Sequence, residues 1–326
     1  MAYFDNARFW LILLVVCGHF MGFLKDTNGL AQGVYLFIYS FHMPAFVLIS
    51  GYLSRNFTMT VRSARRTFES LVVPLILFEV ASQLLLRHYT GSPSEVNPLE
   101  TAWLGWFLWA LVVWRALTPF LLSLRHPLLV SILISLASPF VGLPELLAAP
   151  KVLSLLPFYT AGLLLAEEDF RRLATARLRW LGGALLFVAL VVALVIPSVP
   201  STTLLWKRAY DDPALHAGQW VGLLVRMGLI LLAFLLTAAF LALVSWRPSL
   251  TTPMGARTLY CYLLHGFVLL FLVYSCNLLS WWPTGLLGVG AGLALAGALG
   301  LLLLTRPVEW LFRPVLQPSL PWLFKS

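Results

Sequence analysis

Residues 7–20 read ARFWLILLVVCGHF, an apolar run with Arg8 at one end and His19 near the other. As a helix with a rise of about 1.5 Å per residue, it carries His19 roughly 16 Å deeper into a bilayer than Arg8. An arginine can keep its head at the membrane surface, but an imidazole at that depth cannot reach it. An ionisable group held there faces a bundle interior or a wet cavity, and it marks a site.

The rest of the chain has the same character. Its 326 residues are 60% hydrophobic and 11% charged, with mean hydropathy +0.88, whereas soluble domains carry about 25% charged residues. That balance excludes a soluble enzyme and implies a polytopic membrane protein. Lipid leaves only helices or closed barrels as spanning forms, and Leu/Val/Ala runs without period-two alternation select helices.

Ten spans are expected, near 9–24, 35–53, 69–86, 103–121, 128–143, 152–166, 180–197, 219–244, 259–276 and 284–305. The expected fold is an all-α polytopic bundle, one transmembrane domain over residues 1–326. No hydrophilic stretch is long enough to bury a core of its own, so no soluble domain is expected. The first segment is expected to stay as an anchor, because no small-x-small cleavage site follows it. Cys17, Cys261 and Cys276 sit in apolar runs without paired spacing, so neither a disulfide framework nor a metal cluster is expected.

Charge sets the orientation. With the N-terminus inside, fifteen Lys and Arg fall on the cytoplasmic side and five outside (Lys25, Arg87, Lys151, Lys207, Arg208), while Arg115 and Arg226 lie within spans. The positive-inside rule then places both termini in the cytoplasm. The +9 net charge reads as topology rather than a nucleic-acid surface. The outer loop PSVPSTTLLWKRAYDDPALHAGQ (197–219) reads as a solvated connector, or as a cap that recognises a polar acceptor. AEEDFRRLATARLR (166–179) reads as an interfacial helical connector, and the small residues of AGLALAGALGLLLL (291–304) suit close helix packing.

The ionisable residues within the spans are His19, His42, Glu79, Arg115, Arg226 and His265. Measured from the nearest cytoplasmic arginine, the depths are about 16 Å for His19, 20 Å for His42 and Glu79, 15 Å for Arg115 and 12 Å for His265. Five groups from five spans thus share one layer, and a polar cavity is the simplest way to satisfy them. Arg226 falls outside that layer and is assigned to the outer mouth. Plainer readings stand beside this: His265 as a helix–helix hydrogen bond, Glu79 and Arg115 as a structural ion pair.

FIYSFHMPAFVLISGYLSR (37–55) adds Pro44 within a span, which removes a backbone hydrogen bond and exposes carbonyls. Arg55, Arg62, Arg65 and Arg66 follow. They are stop-transfer charges, and four arginines so close also suit a phosphate clamp. Two function classes fit a midplane layer of His, Glu and Arg: a group-transfer enzyme, and a proton-coupled secondary transporter or exporter of a polar substrate. The gathered arginines favour the enzyme.

Taken in order, YFDNARFWLILLVVCGH (3–19), FHMPAFVLISGYLSR (41–55), RSARRTFESLVVPLILFE (62–79), WFLWAL (106–111), LPFYTAGLLL (156–165) and GARTLYCYLLHG (255–266) resemble the acyltransferase-3 family of membrane O-acyltransferases. The similarity is greatest to its fucose-4-O-acetylase-like branch. The resemblance implies a multi-pass enzyme of the plasma (inner) membrane that uses cytoplasmic acetyl-CoA as acyl donor, with no metal. Its acceptor would be a sugar hydroxyl on a surface polysaccharide, lipid-linked glycan or glycosylated metabolite of the cell envelope.

The family's Arg–ten residues–His signature maps onto Arg8 and His19, and its FHMP and SGY motifs onto residues 41–44 and 50–52. His19 is then the expected base, since neutral imidazole near pH 7 accepts a hydroxyl proton. His42 or Arg115 would face the thioester oxygen as it gains charge, with Glu79 in the same catalytic layer. Arg8, Arg55, Arg62, Arg65 and Arg66 would hold the donor, and Ser50, Tyr52, Trp106, Tyr262 and His265 the acceptor. Direct transfer and an acyl-histidine intermediate both fit these residues.

Overall fold

The computed structural model describes residues 1–91, 96–101, 103–196, 210, 218–318, 320 and 322–323. Among them the regular structure is helical, and one isolated antiparallel bridge, Glu100–Leu146, ties two loops together. Most of the expected outer loop, with Lys207 and Arg208, lies outside the described residues, as does Lys325.

Each of the ten apolar segments is a helix. Among the described residues eight helical segments are long and apolar enough to cross a bilayer, or nine if one bent pair counts as a span. The chain runs through α1 (Ala2–Leu24), α2 (Gly29–Tyr39), α3 (His42–Ser54), α4 (Val61–Thr67), α5 (Val73–Thr90), α6 (Trp106–Ser123), α7 (Pro127–Ala137) and α8 (Ala149–Leu164). It continues through α9 (Glu167–Leu173), α10 (Ala176–Val195), α11 (Gln219–Leu243), α12 (Thr258–Leu270), α13 (Gly285–Leu303) and α14 (Arg306–Leu316). The expected count of ten is thus met by segment but not by length, because α7 and α8 are short. The expected connector 166–179 is α9 and the start of α10, and α9 turns 101° away from α8.

The second span differs most from its expected form. It starts at Gly29, where the Asn28 side chain accepts from the backbone N–H groups of Leu30 and Ala31, and it breaks at Ser40–Phe41. Pro44 is the physical reason. In a continuous helix its ring would meet the carbonyl of Ser40, and its missing N–H would leave that carbonyl unbonded. The break moves Pro44 into the first turn of α3, where no donor is needed. Next to the break, Nδ1 of His42 donates to the carbonyl of Ile38 at 2.7 Å.

Helix α1 runs through the centre, packed on α2, α3, α12 and α13. Small residues let the bundle close. Gly51 of α3 lies against the Tyr159 carbonyl of α8, and Gly162 of α8 lies against the Leu48 carbonyl of α3. On the other side of α1, Gly292 meets Phe20 and Met21, and Gly300 meets Leu13. The small-residue stretch 291–304 thus forms the close contact expected of it.

Candidate active site

His19 and His265, on α1 and α12, meet directly: Nδ1 of His19 lies 2.8 Å from Nε2 of His265, with ring planes 4° apart. The other nitrogen of His265, Nδ1, lies 2.8 Å from the carbonyl of Cys261. His42 is close by, its ring against Tyr39, whose own ring lies 6.3 Å from that of His19. His42 and His265 are buried, whereas His19 keeps part of its surface open. The open side carries aromatic rings: Trp103 is 5.3 Å from His19, and Phe23 borders Trp103 at 6.0 Å. Three imidazoles from the expected layer therefore form one cluster.

Arg115 and Glu79 stand apart from that cluster and from each other. Glu79 accepts from Gln83 Nε2 at 3.0 Å, and the same amide reaches the carbonyls of Asn97 (2.8 Å) and Glu100 (2.7 Å). Asn97 N–H donates back to Gln83 Oε1 at 2.8 Å. Gly105 packs on the Glu79 carboxylate. Glu79 thus supports Gln83 in bracing the loop before α6, the loop that brings Trp103 to His19. Among the described residues the expected alternative of a Glu79–Arg115 ion pair does not form: the Glu79 carboxylate accepts from the Gln83 amide, one turn further along α5.

Arg115 lines two cavities at the arginine-rich end. One, of about 180 Å³, is walled by Arg8, Ser50, Leu71, Phe107, Arg115 and Tyr262, among others. The second, of about 490 Å³, is polar and includes Arg62, Ser63, Arg66, Ser70 and Arg115. Arg8 donates to Asp5 through Nη2, and its buried Nε has no hydrogen-bond partner among the described residues. Eleven residues at 100° each bring Arg8 and His19 to nearly the same face of α1, three turns apart. Tyr262 donates to the Leu104 carbonyl and sits one turn before His265, between the inner cavity and the histidines.

Other expected residues are placed differently. The Arg55 guanidinium stacks 4.1 Å from the Tyr52 ring and reaches the Leu165 carbonyl at 3.4 Å. Tyr52 is buried on Phe4 (4.4 Å) and Phe170 (5.0 Å). Neither lines the two cavities. Arg65 is paired to Glu69 at 3.1 Å. Trp106 lies under Lys151, 5.7 Å from its ring. Ser50 faces the inner cavity, with its hydroxyl bonded back to Phe46 at 2.8 Å. Arg226 is fully buried, donating to Ser154 at 2.8 Å and Ser135 at 3.4 Å beside a separate cavity of about 170 Å³.

Sequence reasoning missed Trp103, Tyr39 and Gln83. An aromatic beside a span and a glutamine one turn after Glu79 carry no periodic signal. Only the polarity of Gln83 inside an apolar helix hinted at a role.

The chain is 31% identical over 127 residues to nodulation protein NolL of Sinorhizobium fredii, covering 35% of each. It is 29% identical over 205 residues to nodulation protein NolL of Mesorhizobium japonicum, covering 57% of this chain and 53% of that protein. The matches thus span about a third to a half of the length of these curated relatives. No solved structure matches. The family model described as an acyltransferase domain, acyltransferase-3, matches residues 1–303, so the histidine cluster and both arginine-lined cavities lie within it: the chain belongs to the acyltransferase-3 family.

Proposed function

We propose that this protein is a membrane O-acetyltransferase that moves the acetyl group of acetyl-CoA to a hydroxyl of a sugar or glycosylated acceptor. In this reading residues 1–326 work as one transmembrane domain of the plasma membrane, with both termini and the arginine-rich end in the cytoplasm. The observation that carries it is a pair of cavities sharing Arg115, the narrower one lined by Tyr262, whose ring lies 6.3 Å from that of His265 in the His19–His265 pair. A polar vestibule with Arg62 and Arg66 suits the CoA phosphates, which arginine binds through its planar fork. A narrower, mostly apolar throat past Leu71 and Phe107 suits the pantetheine arm.

At the end of that path the acceptor oxygen attacks the thioester carbon while His19 takes the hydroxyl proton. The O–C bond forms, the C–S bond breaks, and the proton passes from His19 to the CoA sulfur. The carbonyl oxygen gains charge meanwhile and needs a donor. Of the two groups expected to meet it, Arg115 lines the arginine-rich cavities away from the histidines and serves the donor path, and the Nδ1 of His42 is spent on Ile38. The acceptor then approaches His19 from the Trp103 side, away from the arginines.

Radiolabelled acetyl-CoA tests this in purified protein. The expected result is saturable binding, and label transfer to a cell-envelope glycan extract with release of CoA thiol. Absence of acetyl-CoA binding would overturn the reading, because a transporter of polar solutes has no use for CoA.

A further inference from the structure

Both ring nitrogens of His265 are engaged, and that fixes protons further along. Its Nδ1 lies 2.8 Å from the Cys261 carbonyl. A carbonyl only accepts, so Nδ1 carries the proton. In the neutral ring Nε2 is then a bare acceptor, and it lies 2.8 Å from His19 Nδ1. That bond exists only if His19 Nδ1 donates, which leaves the lone pair of His19 on Nε2. No carboxylate is hydrogen-bonded to either ring among the described residues, so an extra proton on either would be an uncompensated buried charge. The series Cys261 carbonyl, His265, His19 therefore has a single neutral proton arrangement.

We propose that His265 is a positioning residue that selects the tautomer of His19, keeping Nε2 as the basic atom for the acceptor hydroxyl. This rests on the reading of His19 as the base. As the O–C bond forms and the C–S bond of the thioester breaks, the hydroxyl proton goes to His19 Nε2. The resulting imidazolium keeps its Nδ1–H bonded to the lone pair of His265, which stabilises the charge without taking the proton. Nε2 then gives its proton to the CoA thiolate, and the starting tautomer returns. The 4° angle between the rings holds His19 in one orientation throughout. The same arrangement would serve any hydroxyl acceptor, so it concerns the proton and not acceptor choice.

Three substitutions test this in full-length protein purified in detergent, with acetyl-CoA as donor and a cell-envelope glycan extract as acceptor. In His265→Gln the side-chain oxygen reaches the former position of ring Nε2 and can still accept from His19. In His265→Asn it reaches only the former Nδ1 position, and in His265→Leu no acceptor remains. Leu and Asn are expected to lower kcat at least about 100-fold with the acetyl-CoA KM within about threefold, while Gln returns to within about tenfold of wild type. A wild-type kcat in His265→Leu, or a Gln variant no faster than the Asn variant, overturns the proposal. Should the Leu variant fail to accumulate, the Gln–Asn contrast decides alone, because the two polar side chains differ mainly in reach. A wild-type rate in His19→Ala would instead remove the base reading, an outcome separable from the behaviour of His265.

Discussion

Arg8 and His19 share one face of α1, Arg8 in the wall of the inner cavity and His19 hydrogen-bonded to His265 three turns further along. In the proposed mechanism the two residues of one signature serve opposite ends of one path. Substituting each should separate binding from chemistry. His19→Ala is expected to abolish acetyl transfer while leaving acetyl-CoA binding and membrane accumulation unchanged. Arg8→Ala is expected to raise the acetyl-CoA KM about tenfold, the scale of one charge-assisted hydrogen bond, with little loss of kcat. Steady-state kinetics on both variants check this, and near-normal turnover in His19→Ala would remove the mechanism.

The arginines after α3 should not behave alike. Arg66 lines the vestibule, whereas Arg55 is stacked on Tyr52 and tied to the α8 terminus. Arg66→Ala should raise the donor KM by about three- to tenfold, more at low salt than at high salt. Arg55→Ala should leave the donor KM alone and lower the melting temperature in detergent. Titrating acetyl-CoA at two ionic strengths distinguishes them, and equal KM effects would show that the vestibule is not where the donor binds.

Glu79 provides a sharper contrast between catalysis and scaffolding. Glu79 accepts from the Gln83 amide and packs on Gly105 in the loop that carries Trp103. Glu79→Gln keeps an acceptor for Gln83 and is expected to retain kcat within about threefold, whereas a working catalytic carboxylate would lose about 100-fold or more. Glu79→Ala should cost more than Glu79→Gln, because the Gln83 amide that holds the loop loses an acceptor. A kcat measurement on the pair is sufficient.

Within the SGY motif Gly51 and Tyr52 have different tasks. Gly51→Ala would drive a methyl group into the Tyr159 carbonyl, a backbone atom that cannot swing away, and should destabilise by about 1–3 kcal/mol. Tyr52→Phe should change neither stability nor turnover, since the buried hydroxyl has no hydrogen-bond partner among the described residues and the ring stacks on Phe4. Thermal melts monitored by tryptophan fluorescence check both, and a Tyr52→Phe variant with a raised acceptor requirement would return Tyr52 to the acceptor site.

Much of this protein was legible in the order of its residues. Hydropathy is a local sum, so every apolar segment could be placed without knowing its neighbours. The proline that breaks the second span was visible as well, because its ring acts on a carbonyl four residues away. Depth along a helix follows from rise alone, and so the ionisable groups could be assigned to one layer. Which members of that layer touch was decided only by packing. His19 and His265 are 246 residues apart in sequence, and their contact depends on how α1 and α12 rotate about their own axes. Glu79 turned towards a loop rather than Arg115 for the same reason: an azimuth set by all neighbouring helices together, with close glycine contacts between α3 and α8 fixing how near they come, has no signature in any single segment.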